Sequence, residues 1–155
     1  MPDLGSIFEP KSVAIVGASS NPLTPTNINF LTPLLEFGYT GRIYPVNPTA
    51  REVMGLKAYP SIRDIPEPVD YVICAVAASA APKVMRECVE AKVKVVSLFT
   101  SGFREVGQDG AALEREVVEI AREGGVLVLG PNCLGAHCPK AGLTLLGNIN
   151  RSSGH

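Results

Sequence analysis

The sequence has no marked excess of charge of either sign. Fourteen Lys and Arg stand against fifteen Asp and Glu, for a net charge of −1. Without a basic excess the chain has no electrostatic pull on nucleic acid or an acidic membrane, so any anion site must come from a few local groups. No apolar run approaches the ~20 residues that span a bilayer. The first six residues lack the basic start and apolar stretch of a secretory signal, which points to the cytoplasm. The four cysteines do not form a disulfide framework. Cys74 falls in an apolar strand-like run and Cys88 on the apolar side of a helical pattern, both ordinary core positions. Internal repeats are also absent.

What is present is ordinary globular material: 46% hydrophobic and 19% charged over 155 residues, enough for one α/β domain. Apolar strand-like runs alternate with helical patterns, the signature of a doubly wound, Rossmann-like, mainly parallel sheet of about five strands. Strands are expected at residues 12–16, 42–46, 69–76, 93–99 and 126–129. The 69–76 run is nearly continuous in apolar residues, as suits a strand covered on both faces. Between them, residues 27–37 read as a helix stopped by Gly38, although Pro33 inside it conflicts with helix continuity. Residues 53–65 read as a Gly55 turn, a short extended piece and one helical turn capped by Ser61. Ser79 is expected to cap a helix burying Val84, Met85, Cys88 and Val89. Asp109 is expected to cap another, with Leu113, Val117, Ile120 and Ala121 inward, Gly124 as its stop, and Glu114, Glu116 and Glu119 in solvent. The domain is expected to span residues 1–147. Residues 148–155 read as a linker stub or an appended tail.

In open parallel sheets ligands bind outside the carboxyl ends of the strands. Here those ends read Gly17-Ala18-Ser19-Ser20, Asn47-Pro48, Val76-Ala77-Ala78-Ser79, Thr100-Ser101-Gly102-Phe103 and Gly130-Pro131-Asn132. Any one of them makes a tight turn; together, small and hydroxyl-bearing residues along one edge make a binding crevice. The first also precedes a helix, whose free N–H groups and dipole favour a phosphate. The dinucleotide fingerprint, however, is missing. Gly17-x-Ser19-x-x-Pro22 replaces Gly-x-Gly-x-x-Gly, and Asn47 stands where an acid would bind a ribose diol.

Five segments follow one another in a recognisable order. They are Ile7-Phe8-Glu9-Pro10-Lys11-Ser12-Val13-Ala14-Ile15-Val16-Gly17-Ala18-Ser19, Ile43-Tyr44-Pro45-Val46-Asn47-Pro48, Gly55-Leu56-Lys57-Ala58-Tyr59-Pro60-Ser61, Ser101-Gly102-Phe103 and Gly130-Pro131-Asn132-Cys133-Leu134-Gly135. In these segments, spread over residues 7–147, the chain resembles the N-terminal CoA-binding domain of NDP-forming acyl-CoA synthetases. That group includes ADP-forming acetyl-CoA synthetase and the α subunit of succinyl-CoA synthetase. The resemblance implies coenzyme A lying across the strand ends. Its phosphates would meet Gly17, Ala18, Ser19, Ser20 and Asn21, and its adenine Asn47 and Pro48. The pantetheine arm would pass Val76, Ala77, Ser101, Gly102 and Phe103, with Asn132 completing the rim. It further implies that catalysis, a relay through a phosphorylated histidine, belongs to a following domain, with ATP held by an ATP-grasp module on the same chain or a separate subunit. Neither His137 nor His155 has that context, so no catalytic residue is assigned here.

Two departures stand out. Thr49 occupies the place where the family often has a lysine, so a cation expected near the adenosine phosphate is missing; Arg51 and Lys83 read by default as solvated surface charges, with substitution for that cation as the alternative. Val76-Ala77-Ala78 replaces Val-Pro-Ala. Cys133, His137 and Cys138 lack the paired Cys-x-x-Cys spacing of a zinc site, and Gly-Pro-Asn-Cys reads as a shaped turn. The expected function is therefore CoA or acyl-CoA binding within an acid–thiol ligase. The alternatives are a stand-alone CoA-binding or acyl-CoA-sensing protein and, disfavoured by Asn47, an NAD(P)-binding oxidoreductase domain.

Overall fold

The computed structural model describes residues 4–19 and 29–146. Strand β1 is Ser12–Val16, all five residues buried, and β2 is Arg42–Val46. A small antiparallel hairpin of β3, Glu52–Val53, and β4, Leu56–Lys57, follows. β5 is Tyr71–Cys74, β6 Val95–Leu98 and β7 Leu127–Leu129. The main sheet has five strands in the order β2-β1-β5-β6-β7, and every pairing is parallel. The expected Rossmann-like α/β architecture is thus the observed one.

Successive side chains of a strand face opposite sides, and here both sides are covered. Ala14, Val16, Val72, Cys74, Val96 and Leu98 pack with Met85 and Cys88 of helix α3 (Ala81–Glu90) and Val117 and Ala121 of helix α4 (Gln108–Glu123). Val13, Ile15, Tyr71, Ile73 and Val95 pack against the other layer. There Ile7 comes from α1 (Gly5–Phe8), Leu31 and Leu34 from α2 (Leu31–Glu36), and Ala136, Leu143 and Leu145 from the segment after β7. That last contribution was not legible as a core element, because the segment has no periodicity to read. β5 is fully enclosed, with all four residues at 0% exposure.

Several local expectations are corrected. The helix expected from residue 27 starts at Leu31 in the described region, and residues 20–28 lie outside it. Pro33 therefore falls in the first helical turn, where a missing N–H costs no helical bond, and the conflict disappears. Asn29 Oδ1 accepts from Leu31 N at 2.9 Å and Thr32 N at 3.2 Å, which caps this start. Gly38 follows the helix end as expected, with Tyr39 N donating to Leu34 O. Ser79 does not cap α3: it lies inside a 3₁₀ turn, Ala78–Ala80, and Ala80 precedes the helix with no side-chain cap. Asp109 likewise lies inside α4, which starts after Gly107. Ser61 does cap the 3₁₀ turn Ile62–Asp64, accepting from Arg63 N at 3.2 Å. Glu114 is not solvated as expected but 9% exposed, and it pairs with Arg104 at 2.6 Å. The run expected as residues 69–76 pairs only over Tyr71–Cys74, and Val69 is buried outside the ladder.

Candidate functional site

The strand order reverses direction at β1. From it the chain goes to β2 on one side, and the later strands add on the other, so the topological switch point falls between the carboxyl ends of β1 and β5. Gly17 stands at that point with φ +90°, a conformation L side chains rarely adopt. A Cβ placed there would come within 2.5 Å of Ala75 O, so only glycine lets the two loops lie this close. Gly17 itself is exposed on its other side.

Hydrogen bonds tie neighbouring strand ends into a continuous rim. Gly17 N donates to Val46 O at 3.1 Å and Ala75 N to Val16 O at 2.9 Å. Asn47 Nδ2 donates to Ala18 O at 2.8 Å, while Asn47 Oδ1 accepts from Thr49 N and Ala50 N, each at 2.9 Å. Thr100 Oγ1 donates to Val76 O at 2.7 Å, and Asn132 N donates to Thr100 O at 3.1 Å. Glu105 accepts from Gly102 N, and this bond, followed by one from its own amide, holds its carboxyl below the ordinary range. Glu105 is a rim-shaping residue that the sequence did not single out, and Thr100 stood there only as part of a strand-end segment. The only available signals were an acid three residues past Gly102 and a hydroxyl at a strand end.

The expected site residues separate into groups. Gly17, Pro48, Ala77, Ser101 and Asn132 are exposed along the rim, and Ser19, Asn47, Val76 and Gly102 are half-buried. Ala18 at 4% and Phe103 at 0% exposure have their side chains in the core, so they shape the rim from beneath. Ser20 and Asn21 lie outside the described residues. Of the two substitute cations, Lys83 lies 4.0 Å from Glu87 on the same helix, whereas Arg51 forms no ion pair among the described residues. Cys133 Sγ accepts from Gly135 N at 3.3 Å, and the His137 ring meets Phe37 edge-on.

A depression of about 550 Å³, lined by Leu4, Phe8, Lys11, Asp70 and Lys94, lies at the opposite, amino ends of the strands. Its charges answer one another. Asp70 accepts from Lys11 N at 2.8 Å and pairs with Lys94 Nζ at 2.9 Å. Burial pushes the Asp70 carboxyl up, but the bonds from Lys94 and Lys11 outweigh it and hold the group below its ordinary value. This cluster fastens β1, β5 and β6 together.

Comparison with known proteins places the chain. A family model of the CoA binding domain matches residues 11–139.

The chain belongs to the CoA-binding domain family.

Its likeness to particular members is substantial. It is 47% identical over 135 residues to the acetate–CoA ligase (ADP-forming) II of Archaeoglobus fulgidus, covering 87% of this chain and 20% of that protein. It is 41% identical over 136 residues to the acetate–CoA ligase (ADP-forming) I subunit alpha of Pyrococcus furiosus, covering 85% and 29% respectively. Among solved structures, the dinucleotide forming acetyl-coenzyme A synthetase 1 of Ca. Korarchaeum cryptofilum, in complex with phosphate and ADP, superposes with TM-score 0.86 at 42% identity. That match covers 94% of this CoA-binding domain and 31% of the neighbour. The chain therefore spans a fifth to a third of the length of these three relatives.

No helix among the described residues is long and apolar enough to cross a membrane.

Proposed function

We propose that this chain is the CoA-binding part of an ADP-forming acyl-CoA synthetase, an acid–thiol ligase. In this reading it holds CoA or an acyl-CoA while nucleotide-dependent chemistry takes place on further domains or a separate ATP-grasp subunit. The observation that carries the reading is the family match over residues 11–139 falling on a sheet whose β1–β5 switch point is lined with small residues. The relatives' names supply the ligase activity, and the modest share of their length that the chain covers supports further parts doing the rest.

The residues present fit the ligand in kind. Gly17 presents backbone with no side chain in the way, which suits a pyrophosphate held by amides. Pro48, Val76 and Ala77 give the rim apolar surface for adenine and pantetheine. Asn47 offers no carboxylate to a ribose diol. Arg51, four residues past Asn47 and without an ion pair among the described residues, supplies the cation for the phosphate on the adenosine ribose. Ser101 and Gly102 border the path of the pantetheine arm, and the reactive sulfur is left to face the catalytic parts.

Titration calorimetry of the purified chain with CoA, acetyl-CoA, NAD and ATP tests this. CoA and acetyl-CoA are expected to bind and NAD to give no heat. Binding of NAD without CoA would overturn the reading.

A further inference from the structure

We propose that Asn47 is a positioning residue, whose amide, by tying the start of the β1 loop to the β2 loop, readies that loop for a phosphate of the ligand. The inference rests on the CoA reading above and deepens it.

Asn47 follows β2 directly, half-buried, and its side chain faces two ways. On one side Oδ1 closes a local turn, accepting from Thr49 N at 2.9 Å, Thr49 Oγ1 at 3.0 Å and Ala50 N at 2.9 Å. On the other, Nδ2 donates to Ala18 O at 2.8 Å, across 29 residues of sequence. The backbone adds a third anchor, Asn47 N donating to Tyr59 O at 2.9 Å. The side chain is therefore fixed by its acceptor end and holds the Ala18 carbonyl by its donor end.

Holding that carbonyl fixes the Ala18–Ser19 peptide plane, because the peptide is planar and its N–H points opposite to its C=O. Together with Gly17 N on Val46 O, and Gly17 close against Ala75, the clasp fixes Gly17 and Ala18 at the start of the β1 loop. A phosphate held by backbone amides needs that arrangement before it arrives, since an ordering cost met in advance is not subtracted from binding.

Aspartate differs from Asn47 by one atom and reverses the outcome. Its carboxylate would keep the turn to Thr49 and Ala50 but could not donate. It would instead set a negative oxygen against Ala18 O and release the loop. Dinucleotide sites carry an acid at the end of the second strand for use on a ribose. At Asn47 the amide is engaged within the protein and is not available for that task.

The test uses the Asn47→Asp and Asn47→Ala variants of the whole chain, with CoA titrated calorimetrically between pH 4 and pH 8, a range that reaches the ordinary aspartate value. The ionisable residues on the segments packed around position 47 are Tyr59 and, in the hairpin, Arg51, Glu52 and Lys57; both histidines fall elsewhere in the sequence. Asn47→Asp is expected to bind CoA at least tenfold more weakly than the parent at pH 8. The variant-to-parent ratio should shrink as the pH falls, because a protonated acid can again donate to Ala18 O. A general loss of structure would not give that recovery. Asn47→Ala should lose affinity without recovering it, and it decides the matter if the Asp variant does not fold. Parent and both variants binding CoA alike at every pH would sink the inference while leaving the CoA reading intact. A parent chain that binds no CoA would remove both.

Discussion

At the residue scale, burial separates side chains of the same type into different chemistries. Cys74 and Cys88 are both at 0% exposure. Burial pushes the Cys74 thiol up to about 11 and the Cys88 thiol well above its ordinary value. Cys133 and Cys138 are half-buried near the surface. A thiol reagent at pH 8 is expected to modify Cys133 and Cys138 in the folded chain, and Cys74 and Cys88 only after unfolding. Peptide mapping checks this, and early modification of Cys74 would contradict it. Arg51 is the residue on which the proposed ligand's extra phosphate can be tested. Arg51→Ala is expected to weaken CoA about five- to tenfold, roughly 1–1.4 kcal/mol, while leaving dephospho-CoA nearly unchanged. Equal weakening of both ligands in calorimetry would detach Arg51 from that phosphate. Glu114 teaches the opposite lesson about charge. Its spacing on α4 reads as solvated, yet the 3₁₀ turn Arg104–Val106 brings Arg104 against it, and the pair holds its carboxyl below the ordinary range. Helical periodicity describes one element's faces and not which loop lies over them.

At the element scale, the two ends of the sheet are held differently. The amino ends are joined by the Asp70 cluster. Asp70 takes Lys11 N from before β1 and Lys94 from before β6, and its own N–H donates to Ser12 Oγ at 3.0 Å. Removing one partner of a buried, charge-assisted network leaves the others unsatisfied, so Asp70→Ala is expected to cost about 1–3 kcal/mol in urea unfolding. The folded Asp70 carboxyl lies below its unfolded value. Its contribution is therefore fully present above the unfolded value and is lost as the pH falls through the folded one. Parent stability should drop on acidification below roughly pH 4, and the Asp70→Ala variant should show a smaller drop. An identical pH dependence in the two proteins would exclude Asp70 as its source. The carboxyl ends are joined by lighter ties, among them Thr100 Oγ1 on Val76 O. Thr100→Val is expected to lose about 1 kcal/mol of stability and to weaken CoA binding further by loosening the β5 loop, a combination that denaturation and calorimetry together resolve.

At the scale of the whole molecule, a ligand that binds only the folded state stabilises it by mass action. CoA at a hundredfold excess over its dissociation constant should add about 2.7 kcal/mol, which for a chain of this size raises the melting temperature by about 5–10 °C. NAD at the same concentration should leave it unchanged. In the proposed reading, binding falls to a small set of exposed strand-end residues because the sheet is covered on both faces. Both faces of the sheet are taken by helices and by the segment containing Leu143 and Leu145, and the strand-end rim remains open.

The sequence by itself determined the α/β alternation, the five strands and the limits of β1 and β2 to the residue. Those features rest on local apolar runs and the turns that end them, and neighbouring residues are enough to specify them. It also carried the ordered segments by which the family was recognisable. The caps at Ser79 and Asp109 were misread because a 3₁₀ turn and the Gly107 junction, shaped by packing, precede those helices. Only the tertiary structure decided that β1 lies between β2 and β5 and that Gly17 touches the Ala75 loop. The same holds for Asn47 and the carbonyl of Ala18. In one dimension Asn47 is a missing acid; in three it is a donor between two loops 29 residues apart. That contact depends on parallel strand order, which brings distant loops to one edge and leaves no mark on the residues around either of them.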